Sequence, residues 1–492
     1  SCMIQLPEYK KGVAVYGLGM SGLSVIRALR ESGNKVYASD SDPKKCELAK
    51  NLGADIIDLA QFMPDVERLV LSPGVPLTHP APHDVVKQAN QAGVPIEGDI
   101  DLLADAFAKM DAQPKVIAIT GTNGKSTTTA LLSHVLKQGG FNVQMGGNIG
   151  CPVTDLELPV GKDPSFVYVL ELSSYQIDLL NRLPIDIAIL TNITPDHLDR
   201  HGSMKGYVDA KARLFGLVKK TGLCVVGVDG TWERELAETL KENNQNLVTV
   251  AFDNDENRAS SVEPDFWFAD QRLHRAADIS VPGSLGASDL PSLTPSSISF
   301  AGTDSLRGLH NAQNVAVAAA AAQALGMQDE KISDALKTFP GLDHRMKPVA
   351  KLDHVLFIND SKATNAEAAR QALSSFENIF WIAGGVPKSG GLDGLDDLFP
   401  KIQCAYLIGK ASQDFYDHLV SYKVNAQICG TMDVAVRQAA ADALERDTNQ
   451  DCAVLLSPAC ASFDQFGNFE IRGEAFCAEV ETLRREYMRG VA

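Results

Sequence analysis

A β-branched run, Val116 to Thr120, leads directly into Gly121-Thr-Asn-Gly124, after which Ala130, Leu131, Leu132, Val135 and Leu136 recur at helical spacing. Strand, glycine turn and helix in that order make a phosphate cradle. The glycines let successive N–H groups converge on an anion, and the first helical turn adds unsatisfied donors and a favourable dipole. Lys125 is placed to reach the β- and γ-phosphates, and the Ser126 hydroxyl to ligate Mg²⁺. Where the general G-x-x-x-x-G-K-[ST] pattern begins with glycine, position 119 is Ile, so the loop is a compact variant. Gly121, Thr122, Asn123, Gly124, Lys125, Ser126 and Thr127 are the candidate nucleotide contacts. A Gly-Lys-Ser turn without a ligand would have to coincide by chance with the strand before it and the amphipathic helix after it.

A chain of 492 residues is too long for one core and predicts about three domains. Hydrophobic residues make up 45% and charged residues 22%, an ordinary soluble composition. The net charge of −17 argues against nucleic-acid binding, which needs a basic surface. Nine scattered cysteines without a C-x-x-C pair suit reduced thiols better than a disulfide or zinc framework. No apolar run approaches the ~20 residues of a membrane span, and no signal-peptide pattern opens the chain. A cytoplasmic protein without a membrane span is expected.

Ahead of the cradle, strand Gly12-Val-Ala-Val-Tyr-Gly17 runs into Gly17-Leu-Gly-Met-Ser-Gly22 and a helix through Leu23, Val25, Ile26 and Leu29. Strand Lys35 to Asp40 then ends in an acid, as a dinucleotide site requires, so a nicotinamide dehydrogenase is a serious rival on these residues alone. Another strand, Leu69-Val-Leu, meets Ser72-Pro-Gly-Val-Pro at its carboxyl end. Beyond the cradle, strand-like runs at Phe166 to Leu170, Ile185 to Leu190 and Cys224 to Val228 alternate with helices, which implies a parallel sheet. Asp265 to Asp270 looks like a hairpin strand, Ser280 to Ser297 a loop, and Leu309 to Leu325 an Ala-rich helix. Pro340 to Arg345 reads as a linker, followed by strands at Val355 to Asn359, Ile379 to Ala383, Ala405 to Gly409 and Ala453 to Ser457. The expected fold class is α/β in three domains: a Rossmann-like unit at 1–108, a central P-loop-type ATPase domain with a parallel sheet at 109–341, and a Rossmann-like unit at 342–492.

Glu171 closes an otherwise apolar strand, where a carboxylate suits Mg²⁺ on nucleotide phosphates; alone, it would more simply be a solvated strand end. His197, just past another strand, carries little weight alone. Together, Glu171-Leu-Ser-Ser-Tyr, Thr194-Pro-Asp-His197-Leu-Asp, Tyr207-Val-Asp-Ala-Lys211 and the glycine loop resemble the motif set of the Mur ligases of peptidoglycan synthesis. Asp360-Ser-Lys-Ala-Thr364-Asn, Gly384-Gly-Val-Pro-Lys388 and Leu456-Ser-Pro-Ala-Cys-Ala-Ser462-Phe-Asp-Gln-Phe resemble the branch of that family that adds D-glutamate. The Asp-Asn-Pro-Arg type of signature that goes with diaminopimelate or lysine does not occur.

The resemblance covers nearly the whole chain and implies an ATP-dependent, ADP-forming amide ligase. A substrate carboxylate is phosphorylated, and the acyl phosphate is attacked by the incoming amine. The implied small-molecule partners are ATP, D-glutamate and UDP-N-acetylmuramoyl-L-alanine (UDP-MurNAc-L-Ala), with the chain a monomer. The implied catalytic set is Lys125, Glu171, His197, Lys211 and Arg345, with Ser126, Glu171, His197 and Lys211 around Mg²⁺ and Lys211 carbamylated. Arg345 resembles the family arginine that reaches the phosphates when the third domain closes. Asn311, Asn314, Asp360 and Lys362 complete the implied ATP contacts. The glycine fingerprint becomes a UDP cradle, so Gly19, Met20, Ser21, Asp40, Ser41, Ser72, Asn148 and His197 are carried over for the UDP-sugar. Asp42 departs from the basic residue some relatives have after that acid, which weakens Ser41. Thr364, Lys388, Ser462, Phe463 and Phe469 are implied for D-glutamate.

Overall fold

The computed structural model describes residues 4–149, 151–194, 198–252, 264–269, 272–275, 298–299, 303–306, 309–446 and 449–490. The expected loop from Ser280 to Ser297 lies outside them. The chain forms two compact units, Ser1–Ala301 with Gln313–Lys337 and Gly302–Ala312 with Thr338–Ala492.

The first unit holds two sheets. Strands Val13–Tyr16 (β1), Val36–Ser39 (β2), Asp55–Ile56 (β3), Arg68–Leu71 (β4) and Ile96–Glu97 (β5) pair in parallel in the order β3-β2-β1-β4-β5. β1 reads as an unbroken apolar run because helices cover both faces of a parallel sheet and every one of its residues is buried.

The second sheet comprises Lys115–Thr120 (β6), Asn142–Gly147 (β7), Phe166–Glu171 (β8), Ile185–Leu190 (β9), Val218–Gly227 (β10), Leu247–Phe252 (β11), Phe266–Ala269 (β12) and Arg272–Arg275 (β13). Its order is β13-β12-β11-β10-β9-β6-β8-β7, and it is parallel except for the terminal hairpin β12–β13. The expected strands are all present, and β7, β11 and β13 are additional. β7 is half-exposed at the sheet edge and ends in two glycines, so it lacks the branched apolar run that marks its neighbours. Because β6 lies between β8 and β9, the loops after these three strands open at one point of the carboxyl edge, where α/β sheets bind ligands.

Helix Asp99–Ala108 joins the two sheets into one unit. Arg68 and Arg182 both bridge Glu97 and Asp105 at 2.7–3.2 Å, and fully buried Asp101 accepts from the backbone N–H groups of Asn181 and Arg182. Burial works against the Glu97 charge and raises its pKa, which the two arginines offset in part.

The second unit is built on Lys347–Leu352 (β14), Val355–Asn359 (β15), Ile379–Gly384 (β16), Val386–Pro387 (β17), Ile402–Ile408 (β18), Ala426–Gly430 (β19), Cys452–Leu456 (β20) and Cys460–Ala461 (β21). The main sheet runs β14-β15-β20-β16-β18-β19, with only β14 antiparallel; β17 and β21 form a separate small pair. Trp381 and Phe357 are fully buried on this sheet, and the Trp381 indole N–H donates to Ser457 O at 2.8 Å.

Candidate active site

The glycine loop leaves β6 and starts helix Lys125–Gln138 at Gly124, which adopts φ 79°. A side chain at Gly124 would collide with the Asn314 amide, so both conformation and close approach require glycine there. The loop is held by the segment after β9. Thr122 N–H donates to Asn192 O (2.9 Å), Asn123 N–H to Asn192 Oδ1 (2.8 Å), and the Asn192 amide and Thr191 hydroxyl both return to Asn123 O (2.9 Å). The Thr122 hydroxyl is within 2.9 Å of the Tyr207 hydroxyl and receives the Thr194 N–H. Glu233, buried and with a raised pKa, accepts from Ile193 N–H at 2.7 Å. Thr191, Asn192 and Glu233 are not singled out by the sequence, and Tyr207 only as the start of the Lys211 motif, because their role is to hold the loop rather than to form it.

Lys125 Nζ folds back over the loop, donating to Gly121 O (2.9 Å) and Thr122 O (3.2 Å). Asn314, buried on helix Leu309–Ala324, accepts from Thr128 Oγ1 at 3.1 Å and so stands at the base of the loop. Thr127 is buried on the first helical turn. Ser126 Oγ donates to Glu171 Oε2 at 3.0 Å; both are buried, and the pair offers a hydroxyl and a carboxylate oxygen, donors suited to a hard cation. Asn148 N–H donates to Glu171 O at 2.8 Å, which puts Asn148 at the same strand end. Lys211, 1% exposed, donates to Gly121 O (2.9 Å) and Thr120 Oγ1 (3.4 Å), with Nζ 4.7 Å over the Tyr207 ring. His197 lies outside the described residues. Among those residues no cluster of three His, Cys, Asp or Glu side chains could hold a metal.

At the carboxyl edge of the first sheet, Gly19, Met20 and Ser21 form the turn into helix Met20–Glu31, and Ser72 follows β4. Asp40 accepts from Leu18 N–H (2.7 Å) and Asp42 N–H (2.8 Å); burial opposes its charge, yet these bonds hold its carboxyl below the usual range. Asp42 is the N-cap of helix Pro43–Asn51 and accepts from Lys44 N–H, which accounts for an acid where a base was expected; Ser41 beside it is exposed.

Gly17, Ser21, Gly22, Ser72 and Asp99 line one cleft. Burial pushes the Asp99 carboxyl up to about 6 from its ordinary 3.8, against the N–H groups of its own helix start. An acid whose folded pKa lies above its unfolded one keeps its proton longer in the native state, so stability falls as pH rises from about 4 to about 6 and then levels off. Asp99→Asn is expected to flatten that slope and to gain about 3 kcal/mol at pH 8, read from urea midpoints at pH 5 and pH 8. A variant with the slope of the parent would contradict it.

In the second unit Asn311 is the third residue of its helix rather than a cap, and is buried. His344 and Met346 flank Arg345 at φ 63° and 43°, a strained linker for non-glycine residues. It is pinned by the turn after β15: Asp360 Oδ1 accepts from Met346 N–H (3.0 Å), and Lys362 N–H donates to His344 O (2.9 Å). Asp360 is buried, also accepts from Ser457 Oγ (2.7 Å), and is raised to about 7 by burial, which these hydrogen bonds only partly offset.

Lys388 is exposed just past β17, and β17 pairs with β21, immediately before buried Ser462. Phe463 is 74% exposed, Thr364 is half-buried beyond the Asp360 turn, and Phe469 O accepts from Ser361 Oγ at 2.7 Å. The residue that ties these loops together is Arg472, 1% exposed, which donates to Ser361 Oγ (2.9 Å), Ser361 O (2.7 Å) and Cys460 O (2.9 Å). Burial lowers its pKa to about 10. Nothing in the residue string distinguishes it from a solvated arginine on helix Phe469–Met488. Arg472→Met strands at least two buried carbonyls and is expected to cost about 3 kcal/mol, measured by urea unfolding; an unchanged midpoint would show that water replaces the guanidinium.

Residues 11–98 match the family described as Mur ligase MurD-like, N-terminal domain, and residues 119–322 the Mur ligase middle domain. The UDP-N-acetylmuramoylalanine--D-glutamate ligase of Phenylobacterium zucineum is 47% identical over 475 residues, 96% of each chain. That of Rhizobium meliloti is 47% identical over 483 residues, 98% of each chain. Among solved structures, UDP-N-acetylmuramate-alanine ligase MurC from Thermotoga maritima superimposes with a TM-score of 0.55 at 17% identity, covering 96% of this chain and 99% of its own. MurF from Acinetobacter baumannii gives 0.53 at 19%, covering 78% and 82%. At these identities the structural likeness concerns the fold.

Proposed function

The chain belongs to the Mur ligase family, and on that premise we propose that it joins D-glutamate to UDP-N-acetylmuramoyl-L-alanine, converting ATP to ADP and phosphate, in the cytoplasmic assembly of peptidoglycan precursors. The observation that carries this reading is the 47% identity to D-glutamate ligases along 96–98% of the chain, so the three main sheets fall within the likeness. Among the described residues no helix is long and apolar enough to cross a membrane. In this reading residues 1–108 take the UDP-sugar, 109–341 ATP and 342–492 D-glutamate.

The L-alanyl carboxylate attacks the γ-phosphorus, ADP leaves, the D-glutamate amine attacks the acyl carbon, and phosphate departs. Phosphoryl transfer is catalysed mainly by positioning and charge neutralisation. The backbone N–H groups from Gly124 into the first turn of helix Lys125–Gln138 hold the phosphates, those of Thr122 and Asn123 being engaged by Asn192, and Lys125 neutralises charge on the transferring group. Ser126 and Glu171, with His197 and carbamylated Lys211, would hold Mg²⁺, which supplies further neutralisation of the phosphates when bound. The buried Ser126–Glu171 pair supports that donor set. In the same reading Asn311, Asn314, Asp360 and Lys362 are the further ATP contacts, and Arg345 pairs with its phosphates. Gly19, Met20, Ser21, Asp40, Ser41, Ser72 and Asn148 receive the UDP-sugar, and Thr364, Lys388, Ser462, Phe463 and Phe469 the amino acid.

The test is phosphate release from ATP in the presence of UDP-MurNAc-L-Ala with D-Glu, L-Glu or other amino acids. Release only with D-Glu is expected, and equal release with another amino acid would overturn the assignment. Exposed Lys388 pairs most simply with a carboxylate of D-glutamate. Lys388→Ala is expected to raise KM for D-Glu at least tenfold with KM for ATP nearly unchanged; the reverse pattern would misplace the lysine.

A further inference from the structure

The loop after β4 carries Ser72, Pro73, Gly74, Val75 and Pro76, and its prolines leave it few N–H groups with which to hold itself. Within it Val75 N–H reaches Ser72 O at 3.0 Å. Its next three carbonyls all accept from one side chain of the second sheet's domain: Arg200 Nη1 donates to Gly74 O (3.1 Å), and Nη2 to Pro73 O (3.0 Å) and Val75 O (3.1 Å). The guanidinium plane is set by the Tyr175 ring, 4.4 Å beneath it.

This clamp is the first link of a contact chain. Tyr175 stacks on His201 (5.4 Å, 18°), and His201 bonds Ser174 Oγ at 2.8 Å, three residues past Glu171. His201 also packs on Tyr207 (5.6 Å), whose hydroxyl meets Thr122 of the phosphate loop at 2.9 Å.

We propose that Arg200 is a positioning residue that fixes the Ser72–Val75 loop for the sugar nucleotide and couples that loop to the phosphate loop through Tyr175, His201 and Tyr207. The assignment rests on the reading of Ser72 as a UDP-sugar contact. A planar fork spreads its donors across three carbonyls while its face rests on the Tyr175 ring, whereas an ammonium gathers its three donors at one point and has no face to stack. Charge alone therefore does not substitute for arginine here.

The test compares full-length Arg200→Lys and Arg200→Gln with the parent. Backbone hydrogen exchange at Gly74, Val75 and Leu77, without any ligand, is expected to quicken in both variants while helix Lys125–Gln138 keeps its protection. In steady state, KM for UDP-MurNAc-L-Ala is expected to rise about tenfold or more in both, with KM for ATP and kcat within about twofold. Unchanged exchange in the loop would overturn the clamp. Parallel losses in kcat, both KM values and melting midpoint would reduce Arg200 to a general structural contact. A parent enzyme that ignores UDP-MurNAc-L-Ala would overturn the proposed function instead, and the exchange result would still decide whether Arg200 holds the loop.

Discussion

Lys125→Ala is expected to lower kcat by about 10³-fold, the cost of removing a preorganised cation from oxygens that gain charge in the transition state. The rest of the cradle does not depend on this side chain. Thr122 and Asn123 are held by Asn192, and Asn123 O by Thr191, so the loop backbone keeps its course into the helix. Its Nζ is within hydrogen-bonding distance of two loop carbonyls, Gly121 O and Thr122 O, so the lysine is positioned by the loop it serves. Single-turnover phosphate release should therefore collapse while the melting midpoint moves little. A rate within tenfold of the parent would remove Lys125 from the transfer step.

The second large effect is expected at Lys211. Its amine is buried at 1% exposure beside Thr120 and Gly121, at the carboxyl end of β6, where a bare ammonium loses its hydration. Addition of CO₂ to the neutral amine forms an N–C bond and releases a proton; the carbamate has one negative charge and two oxygens of the kind Mg²⁺ prefers. One N–H remains to donate to Gly121 O. Lys211→Ala is expected to lose about 10³-fold in rate and to be partly rescued by acetate, a carboxylate that can enter the vacated space. Bicarbonate should restore parent enzyme stripped of CO₂ at mildly acidic pH. Mass spectrometry of trapped carbamate gives an independent reading, and full activity of a CO₂-free preparation would end the assignment.

Much of the fold is legible in local pattern. The strands flanking the glycine loops, the helix after Gly124 and the long Ala-rich helix are set by branched runs, glycine turns and helical spacing, all of which act over a few residues. β7 and β14 are less visible because each is an edge strand, half-exposed, whose strand state depends on a neighbour that comes later in the chain. The glycine fingerprint Gly17 to Gly22 shows the limit of a motif. On its own it admits a nicotinamide enzyme, and family membership excludes that reading only because the match runs along the whole chain.

What the sequence by itself determined is most of the strands, glycine turns and helices, and a net charge of −17 that argues against a nucleic-acid binder. Only the tertiary structure decided which of the polar residues are buried and what they hold. Ser126 at the start of its helix meets Glu171 at the end of β8, Asp360 and Lys362 pin the Arg345 linker, and Arg472 binds two loops that are about a hundred residues apart in sequence. The physical reason is that a polar side chain has no period or turn signature of its own. Its role comes from the desolvation it suffers and the partners that offset it, and both are set when distant strands assemble into one sheet edge.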